Sequence, residues 1–481
     1  MRHSPLVVIV LAAGEGTRMK SRSTPKVLHG FAGRTLLGHV LAATEPLQAQ
    51  HTAVVVGHRR DDVIAHLARI CPAAVAAVQD QQHGTGHAVA VGLAAVPAGA
   101  GGTVLVVPGD APLLRPETLA RLVAEHEATG AAATLLSSVV EHPSGYGRVL
   151  RAADGSVLRV VEQCDADEAE LAVSEVAASV YAFDEALLRD AVGRLSTANA
   201  QGEQYLPEVI TILVGAGRPV GAVVADGAET AGVNDRVQLA EAHRAYNARL
   251  LEAHMLAGVT VRDPATTWVD SAVTLEPDVT LLPGVELHGA THLAEGAEVG
   301  PQVTLTDTTV GPRSRVSRAV AVQATVGADV TIGPYAYLRP GTVLADGARI
   351  GTYVEVKNSD IGAGSKVPHL SYVGDASIGE HTNIGAATVF VNYDGVVKRR
   401  SVIGNHVRTG ADNMFVAPVE VGDGAYTAAG SVITGDVPAG ALGVARANQH
   451  NVAGWVARRR AGTEADRAAK KAQSESSEDT S

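Results

Sequence analysis

A chain of 481 residues is too long for one hydrophobic core and implies two or three domains. Its 39 Lys plus Arg against 51 Asp plus Glu leave a formal charge of −12, which argues against a general nucleic-acid binder. Cys71 and Cys164 alone make a disulfide framework unlikely and point to a reducing cytoplasm, and no run approaches the roughly 18 apolar residues of a membrane helix.

The apolar run 6–13 opens into Gly14-Glu15-Gly16 rather than a small-residue cleavage site, so it reads as a first strand and not a signal peptide. Up to about residue 230, short Val/Ile/Leu runs alternate with helix-like stretches, the pattern of an open α/β sheet covered on both faces. Core strands are expected at 6–11, 53–56 and 103–107. The last stops at Pro108-Gly109-Asp110, placing a carboxylate beyond the carboxyl end of a strand, where such sheets bind ligands.

The first strand runs into Leu11-Ala12-Ala13-Gly14-Glu15-Gly16-Thr17-Arg18-Met19, with Pro25-Lys26-Val27-Leu28 shortly after. This is neither a Walker A loop nor a dinucleotide fingerprint. A glycine-rich turn nevertheless lets backbone N–H groups approach a triphosphate, and Arg18 and Lys26 supply neutralising charge.

Asn234-Asp235 is expected to cap a helix running to about Leu256, a semi-rigid spacer between domains. From about residue 273 to 435 an aliphatic side chain then returns every sixth position: Leu275, Leu281, Leu287, Leu293, Val299 and Leu305, then Val326, Ile332, Leu338, Leu344, Ile350 and Val356. Neither a helix nor a lone strand has that period, whereas coils of a parallel β-helix with Gly-rich corners do. Stacked coils would bury these side chains in one continuous core. Beyond Arg460 the chain is small, charged and Ser-rich and is expected to be disordered. The expected domains are therefore 1–236, a linker helix 237–257, a solenoid 258–460 and a tail 461–481.

Within the solenoid the polar residues cluster: Arg339, Lys357, His369 with Tyr372, Asn383, Asn392-Tyr393-Asp394-Gly395 and Lys398. The six-residue period breaks between Phe390 and Ile403, so residues 392–398 are expected to leave the coils as a loop on the binding face.

The phosphate loop, together with Gln79, Gly84-Thr85-Gly86-His87-Ala88, Gly109-Asp110 and Gly145-Tyr146-Gly147-Arg148, resembles the sugar-1-phosphate nucleotidyltransferases. With the hexapeptide solenoid, the chain up to about residue 460 resembles the bacterial family of bifunctional N-acetylglucosamine-1-phosphate uridyltransferases and glucosamine-1-phosphate acetyltransferases. The resemblance implies a Rossmann-like α/β nucleotidyltransferase domain, a linker helix and a left-handed parallel β-helix. It also implies a homotrimer with acetyl-transfer sites between subunits, working in the cytoplasm with Mg²⁺, acetyl-CoA and UTP to make UDP-N-acetylglucosamine for peptidoglycan and other envelope polymers.

For the first domain the resemblance assigns UTP and sugar contacts to Leu11, Ala12, Ala13, Gly14, Arg18, Lys26, Gln79, Gly84, Thr85, Pro108, Gly109, Gly147, Glu162 and Ala177, and the Mg²⁺ ligands to Asp110 and Asn234. For the second it implies His369 as general base and Arg339, Lys357, Tyr372 and Asn383 as sugar-phosphate contacts. Ala386, Asn392, Tyr393, Ala411, Ala429 and Arg446 fall at its acetyl-CoA positions. The chain departs from the pattern in four places. Ala177 replaces an Asn that binds the sugar, Pro108 a Tyr, Ser or Cys, and Ala411 a Ser near the acetyl group, while Gln204-Tyr205-Leu206-Pro207-Glu208 replaces Tyr-Tyr-x-Thr-Asp. A related pyrophosphorylase with a purely structural solenoid would keep the loop but leave His369, Arg339 and Lys357 unexplained. A non-catalytic subunit would not need Arg18, Lys26, Asp110, Asn234 and His369 together.

Overall fold

A computed structural model describes residues 5–99 and 102–478. By internal contacts the chain divides into two compact units, Met1–Pro334 and Tyr335–Ser481, a boundary that falls inside the coil repeat and not at the linker helix.

In the first unit, strand Leu6–Ala12 pairs in parallel with His51–Val56 on one side and Thr103–Pro108 on the other. The sheet runs Val220–Val224, Ala133–Val139, Glu175–Asp184, Thr103–Pro108, Leu6–Ala12, His51–Val56, Val75–Val78. Glu175–Asp184 is antiparallel to both of its neighbours on that path. Because strand side chains alternate, Val7 and Ile9 join one core with Val89, Leu93, Leu188 and Leu213, while Val8, Val10 and Ala12 join another with Leu37, Val40, Leu119 and Leu122. Helices therefore cover both faces, as the buried aliphatic runs require. The ends of Leu6–Ala12 and Thr103–Pro108 stay free at one edge.

Helix Arg236–Leu256 begins where expected: the Asp235 carboxylate accepts from the N–H groups of Val237 and Gln238, each at 2.9 Å. It is more than a spacer. Ala242 packs with Phe31, Leu36, Leu113 and Val233, and Asn247 clamps the first coil by donating to Thr267 O at 2.8 Å and accepting from Val269 N at 3.0 Å.

The coils form as the six-residue return predicts. In the first unit Trp268–Val269, Val285–His288, Val303–Thr306 and Ala319–Val322 pair in parallel along one face, and two further faces repeat the arrangement. Leu281, Leu287, Leu293, Val299 and Leu305 are wholly buried (0% exposed). In the second unit Ala336–Leu338, Glu355–Lys357, Tyr372–Gly374, Val389–Val391 and Met414–Val416 pair in that order, with Leu338, Val356, Val373, Phe390 and Phe415 turned inward.

The glycines serve two purposes. A Cβ on Gly362 would lie 2.5 Å from the backbone of Gly379 in the next coil, so this glycine permits close stacking, while Gly300 (φ 115°) and Gly333 (φ 98°) take positive-φ corners, which they share with side-chain-bearing residues such as Tyr353 (φ 58°), Leu370 (φ 52°) and Asp375 (φ 49°). Buried hydroxyls satisfy corner backbone groups: Ser371 Oγ donates to His369 O at 2.7 Å and accepts from Thr388 N at 3.2 Å.

Residues 464–478 are also corrected. They form the helix Glu464–Glu478, an Ala-rich stretch with Asp466–Lys470 (2.8 Å) and Glu464–Arg467 (2.8 Å) pairs one turn apart, where composition alone led to an expectation of disorder. Residues 479–481 lie outside the described residues. Among the described residues no helix is long and apolar enough to cross a membrane, and both cysteines are free.

Candidate active sites

In the first unit Leu11 stands in register with Pro108 at the carboxyl edge of the sheet. Gly109 N donates back to Leu11 O at 2.8 Å, which sets Gly109-Asp110 over the Leu11-to-Gly14 turn. The Asp110 carbonyl accepts from Val233 N at 2.8 Å and so brings Asn234 to the same edge. There Lys26 pairs with the Asp110 carboxylate, and Lys26 Nζ and Arg18 Nη2 each donate to Asn234 Oδ1 at 2.9 Å. Four separate segments thus converge on one polar cluster. Gln238, missed in the sequence reading, accepts from Asn234 N at 2.7 Å and holds the asparagine in place.

The Lys26 ammonium lies between a carboxylate and an amide oxygen. Hard oxygen donors around a cation are the set Mg²⁺ takes, with water and substrate phosphate completing its shell, so Asp110 and Asn234 fit that ion.

The residues expected at the nucleotide border the same edge. Ala13 O accepts from His58 N (3.3 Å) and from Nε2 of Gln82 (2.5 Å), a second residue the sequence reading missed. Gln79 follows the neighbouring strand, is buried, and donates from Nε2 to Gly84 O at 3.3 Å. Thr85 Oγ1 accepts from Leu206 N at 2.9 Å, and Gly86 N donates to Gln204 O at 2.7 Å, tying this loop to the segment that departs from the family pattern.

On the sugar side Gly147 lies against Glu162, with 3.5 Å between the place of a Cβ on Gly147 and Glu162 Oε1. Burial, then the nearby charge of Asp165, pushes the Glu162 carboxyl above its ordinary range. Ala177 donates its N–H to Gly147 O at 2.9 Å, but its side chain is buried in the apolar core with Tyr181 and Leu206. The backbone link to the sugar side survives there without a polar side chain.

In the second unit the strands Ala336–Leu338, Glu355–Lys357, Tyr372–Gly374 and Val389–Val391 form one face, with Lys357 in register with Gly374 and Tyr372 with Val389. At the far end of these strands Arg339 pairs with Glu355 at 2.9 Å, and Lys357 pairs with Asp375 at 3.1 Å. The Asp375 carboxylate also accepts from Asn358 Nδ2 at 2.7 Å and from Asn392 Nδ2, whose amide in turn lies 3.4 Å from the Tyr372 hydroxyl. Gly374 makes this crossing possible, since a Cβ there would come within 2.8 Å of Asn392 Nδ2. Neither Asp375 nor Glu355 was singled out in the sequence reading. Their partners lie 18 and 16 residues away, one coil apart, so the coil length was the signal that would have found them.

On the neighbouring face an exposed His369 ends strand Lys366–His369, just before the corner that leads into Tyr372, with its backbone fixed by Ser371 and by Ala387 N, which donates to His369 O at 3.2 Å. Above it the corners stack: Asp412 N donates to Ala386 O at 2.7 Å, and Gly430 N to Ala411 O at 2.9 Å. Ala386, Ala411 and Ala429 therefore rise in one column from His369, with Arg446 against Gly430 at its top. Residues 392–398 leave the coils as a small loop in which Tyr393 pairs with Lys398 and the Tyr393 hydroxyl donates to Gly395 O at 2.6 Å. Asn383 does not join Tyr372. It lies on the neighbouring face, bridging the backbones of Lys366 and Arg408.

A family model for the MobA-like NTP transferase domain matches residues 8–180, and one for the bacterial transferase hexapeptide (six repeats) matches 323–358 and 400–435. The bifunctional protein GlmU of Streptomyces coelicolor is 59% identical over 467 residues, covering 97% of each chain. GlmU of Mycolicibacterium gilvum is 53% identical over 474 residues, covering 97% of this chain and 94% of its own. The chain belongs to the GlmU family. As a GlmU-family member it is a bifunctional transferase that makes UDP-N-acetylglucosamine, with nucleotidyltransferase and acyltransferase activities.

Proposed function

We propose that the first cluster joins UTP to N-acetylglucosamine 1-phosphate and that the second acetylates glucosamine 1-phosphate with acetyl-CoA. The observation that carries this reading is the convergence of Arg18, Lys26, Asp110 and Asn234 at one sheet edge in the first unit, and of Lys357, Asn392 and Tyr372 on one face in the second, with His369 at the end of the strand that precedes Tyr372.

In uridylyl transfer a sugar-phosphate oxygen attacks the α-phosphorus of UTP, and the bond to the departing pyrophosphate breaks. Such a step needs in-line placement and charge neutralisation more than a protein nucleophile. Residues 11–14 hold the uridine side with Gln79, Gly84 and Thr85, Gly147 and Glu162 face the sugar, and Arg18 and Lys26 bear on the phosphates. Asp110 and Asn234 would hold Mg²⁺, which would supply charge that neutralises the phosphates. Lys26, beside both, would add its own positive charge to the phosphates.

In acetyl transfer the sugar amine attacks the thioester carbonyl, the carbon–sulfur bond breaks and the thiolate of CoA leaves with a proton. The amine must itself lose a proton, and histidine is the side chain suited to take it at neutral pH. His369 is solvent-facing on a rigid corner, which leaves its ring free for that role. Arg339 and Lys357 grip the phosphate, and the column Ala386, Ala411, Ala429 and Arg446 lies along acetyl-CoA.

Asn383 and Tyr372 are on neighbouring faces of one chain, an arrangement in keeping with a homotrimer in which a substrate reaches the two from different subunits. Exposed Met414 and Val432, in register on neighbouring coils of one face, offer such an interface apolar surface. Free thiols and the use of UTP and acetyl-CoA fit a cytoplasmic enzyme. Stripping divalent metal with EDTA should stop pyrophosphate release while CoA release continues, with Mg²⁺ restoring the former; equal inhibition of both would remove the assignment of metal to Asp110 and Asn234.

A further inference from the structure

We propose that Asp375 is a positioning residue for acetyl transfer, which orients the Lys357 ammonium and the Asn392 amide together and so links the grip on the sugar phosphate to the contact with acetyl-CoA. The proposal rests on the acetyl-transfer reading of this face. Asp375 is 7% exposed and sits on a left-handed corner, with its N–H donating to Lys357 O at 3.0 Å and its carbonyl accepting from Ser401 N at 3.1 Å. It is thus fixed between the coil that carries Lys357 and the segment that returns from the Asn392 loop.

Its side chain serves three partners. One oxygen accepts from Asn358 Nδ2 at 2.7 Å and Lys357 Nζ at 3.3 Å, and the other from Lys357 Nζ at 3.1 Å and from Asn392 Nδ2. Burial alone would push this carboxyl up, but the hydrogen bonds from Asn358, Lys357 and Asn392 outweigh it and hold the group below its usual range. A carboxylate accepts only. It therefore turns the NH₂ end of the Asn392 amide inward, and Oδ1 of Asn392 becomes the atom presented outward, an acceptor for an amine or amide N–H of a substrate. Lys357, held by both carboxylate oxygens, keeps one fixed direction while N–H capacity remains for a phosphate oxygen. Gly374, the residue before Asp375, leaves the space in which Tyr372 and Asn392 meet. An amide at position 375 would offer Asn392 a donor as readily as an acceptor and would remove the charge that orients Lys357.

The test uses the full chain and the variants Asp375→Asn, Asp375→Glu, Lys357→Ala and the double variant Asp375→Asn/Lys357→Ala. Acetyl-transfer kinetics are measured beside calorimetric binding of glucosamine 1-phosphate and acetyl-CoA, with pyrophosphate release and Tm as controls of folding. Asp375→Asn is expected to raise KM and Kd for glucosamine 1-phosphate about tenfold, the loss of one charge-assisted contact, and those for acetyl-CoA several-fold, with kcat changed less. Asp375→Glu should recover part of both, and in the Lys357→Ala background Asp375→Asn should add little to the glucosamine 1-phosphate effect. The proposal is overturned if Asp375→Asn lowers Tm while leaving both substrates' KM and Kd at wild-type values, or if its effect adds fully to that of Lys357→Ala. If the wild-type chain binds both substrates without turnover, the acetyl-transfer reading fails instead, and the binding shifts still decide the role of Asp375.

Discussion

His369→Ala is expected to lower acetyl transfer by roughly 10² to 10⁴-fold, the usual worth of a positioned general base, while pyrophosphate release from UTP stays at the wild-type level. The side chain is exposed and its backbone anchors are the carbonyl contacts to Ser371 and Ala387, which alanine keeps. Folding should therefore survive, and Tm should move little. Because the loss lies in proton removal from the amine, kcat should fall far more than the affinity for either substrate. Activity should also recover partly at higher pH, where more of the amine is already unprotonated. Steady-state kinetics with a thiol reagent for released CoA decide the matter. Wild-type turnover in this variant would remove His369 as the base.

Asp110→Asn should be the most damaging single change in the first unit, lowering uridylyl transfer by about 10² to 10³-fold, as expected when a group that organises transition-state charge is lost. The substitution keeps the shape and the backbone bond from Val233 N to Asp110 O, so the fold is retained. It removes the carboxylate partner of Lys26 and replaces the one anionic donor of the pair suited to Mg²⁺ with a neutral amide oxygen. Raising Mg²⁺ should therefore restore part of the activity of Asp110→Asn, whereas it should do nothing for Lys26→Ala, which loses phosphate charge neutralisation instead. Acetyl transfer should be unaffected by both. Retention of uridylyl transfer by Asp110→Asn at ordinary Mg²⁺ would contradict the role given to this edge.

The core of the coils was readable because one inward residue per flat side is a local, periodic demand, and Leu281 through Leu305 are buried on that schedule. The phosphate loop was readable because its residues are contiguous. What escaped were partners that exist only after stacking. Asp375 meets Lys357 and Glu355 meets Arg339 across neighbouring coils, and Gln238 reaches Asn234 only because helix Arg236–Leu256 starts there. The packed face of that helix was hidden for the same reason, its apolar residues serving Phe31 and the first coil at different points along its length. Composition misjudged Glu464–Glu478, where few apolar residues but several charge pairs at helical spacing accompany a helix. Ala177 is the instructive departure. It keeps the backbone bond to Gly147 and gives its side chain to the core, so the sugar side loses a polar group without loss of packing.

The most direct measurement gives the full-length chain glucosamine 1-phosphate, acetyl-CoA, UTP and Mg²⁺ and follows CoA thiol and pyrophosphate separately. The account predicts that thiol appears first, that pyrophosphate follows only after acetylated sugar phosphate has formed, and that UDP-N-acetylglucosamine accumulates. Pyrophosphate release that needs no acetyl-CoA, or thiol release with no pyrophosphate even when N-acetylglucosamine 1-phosphate is supplied, would contradict it.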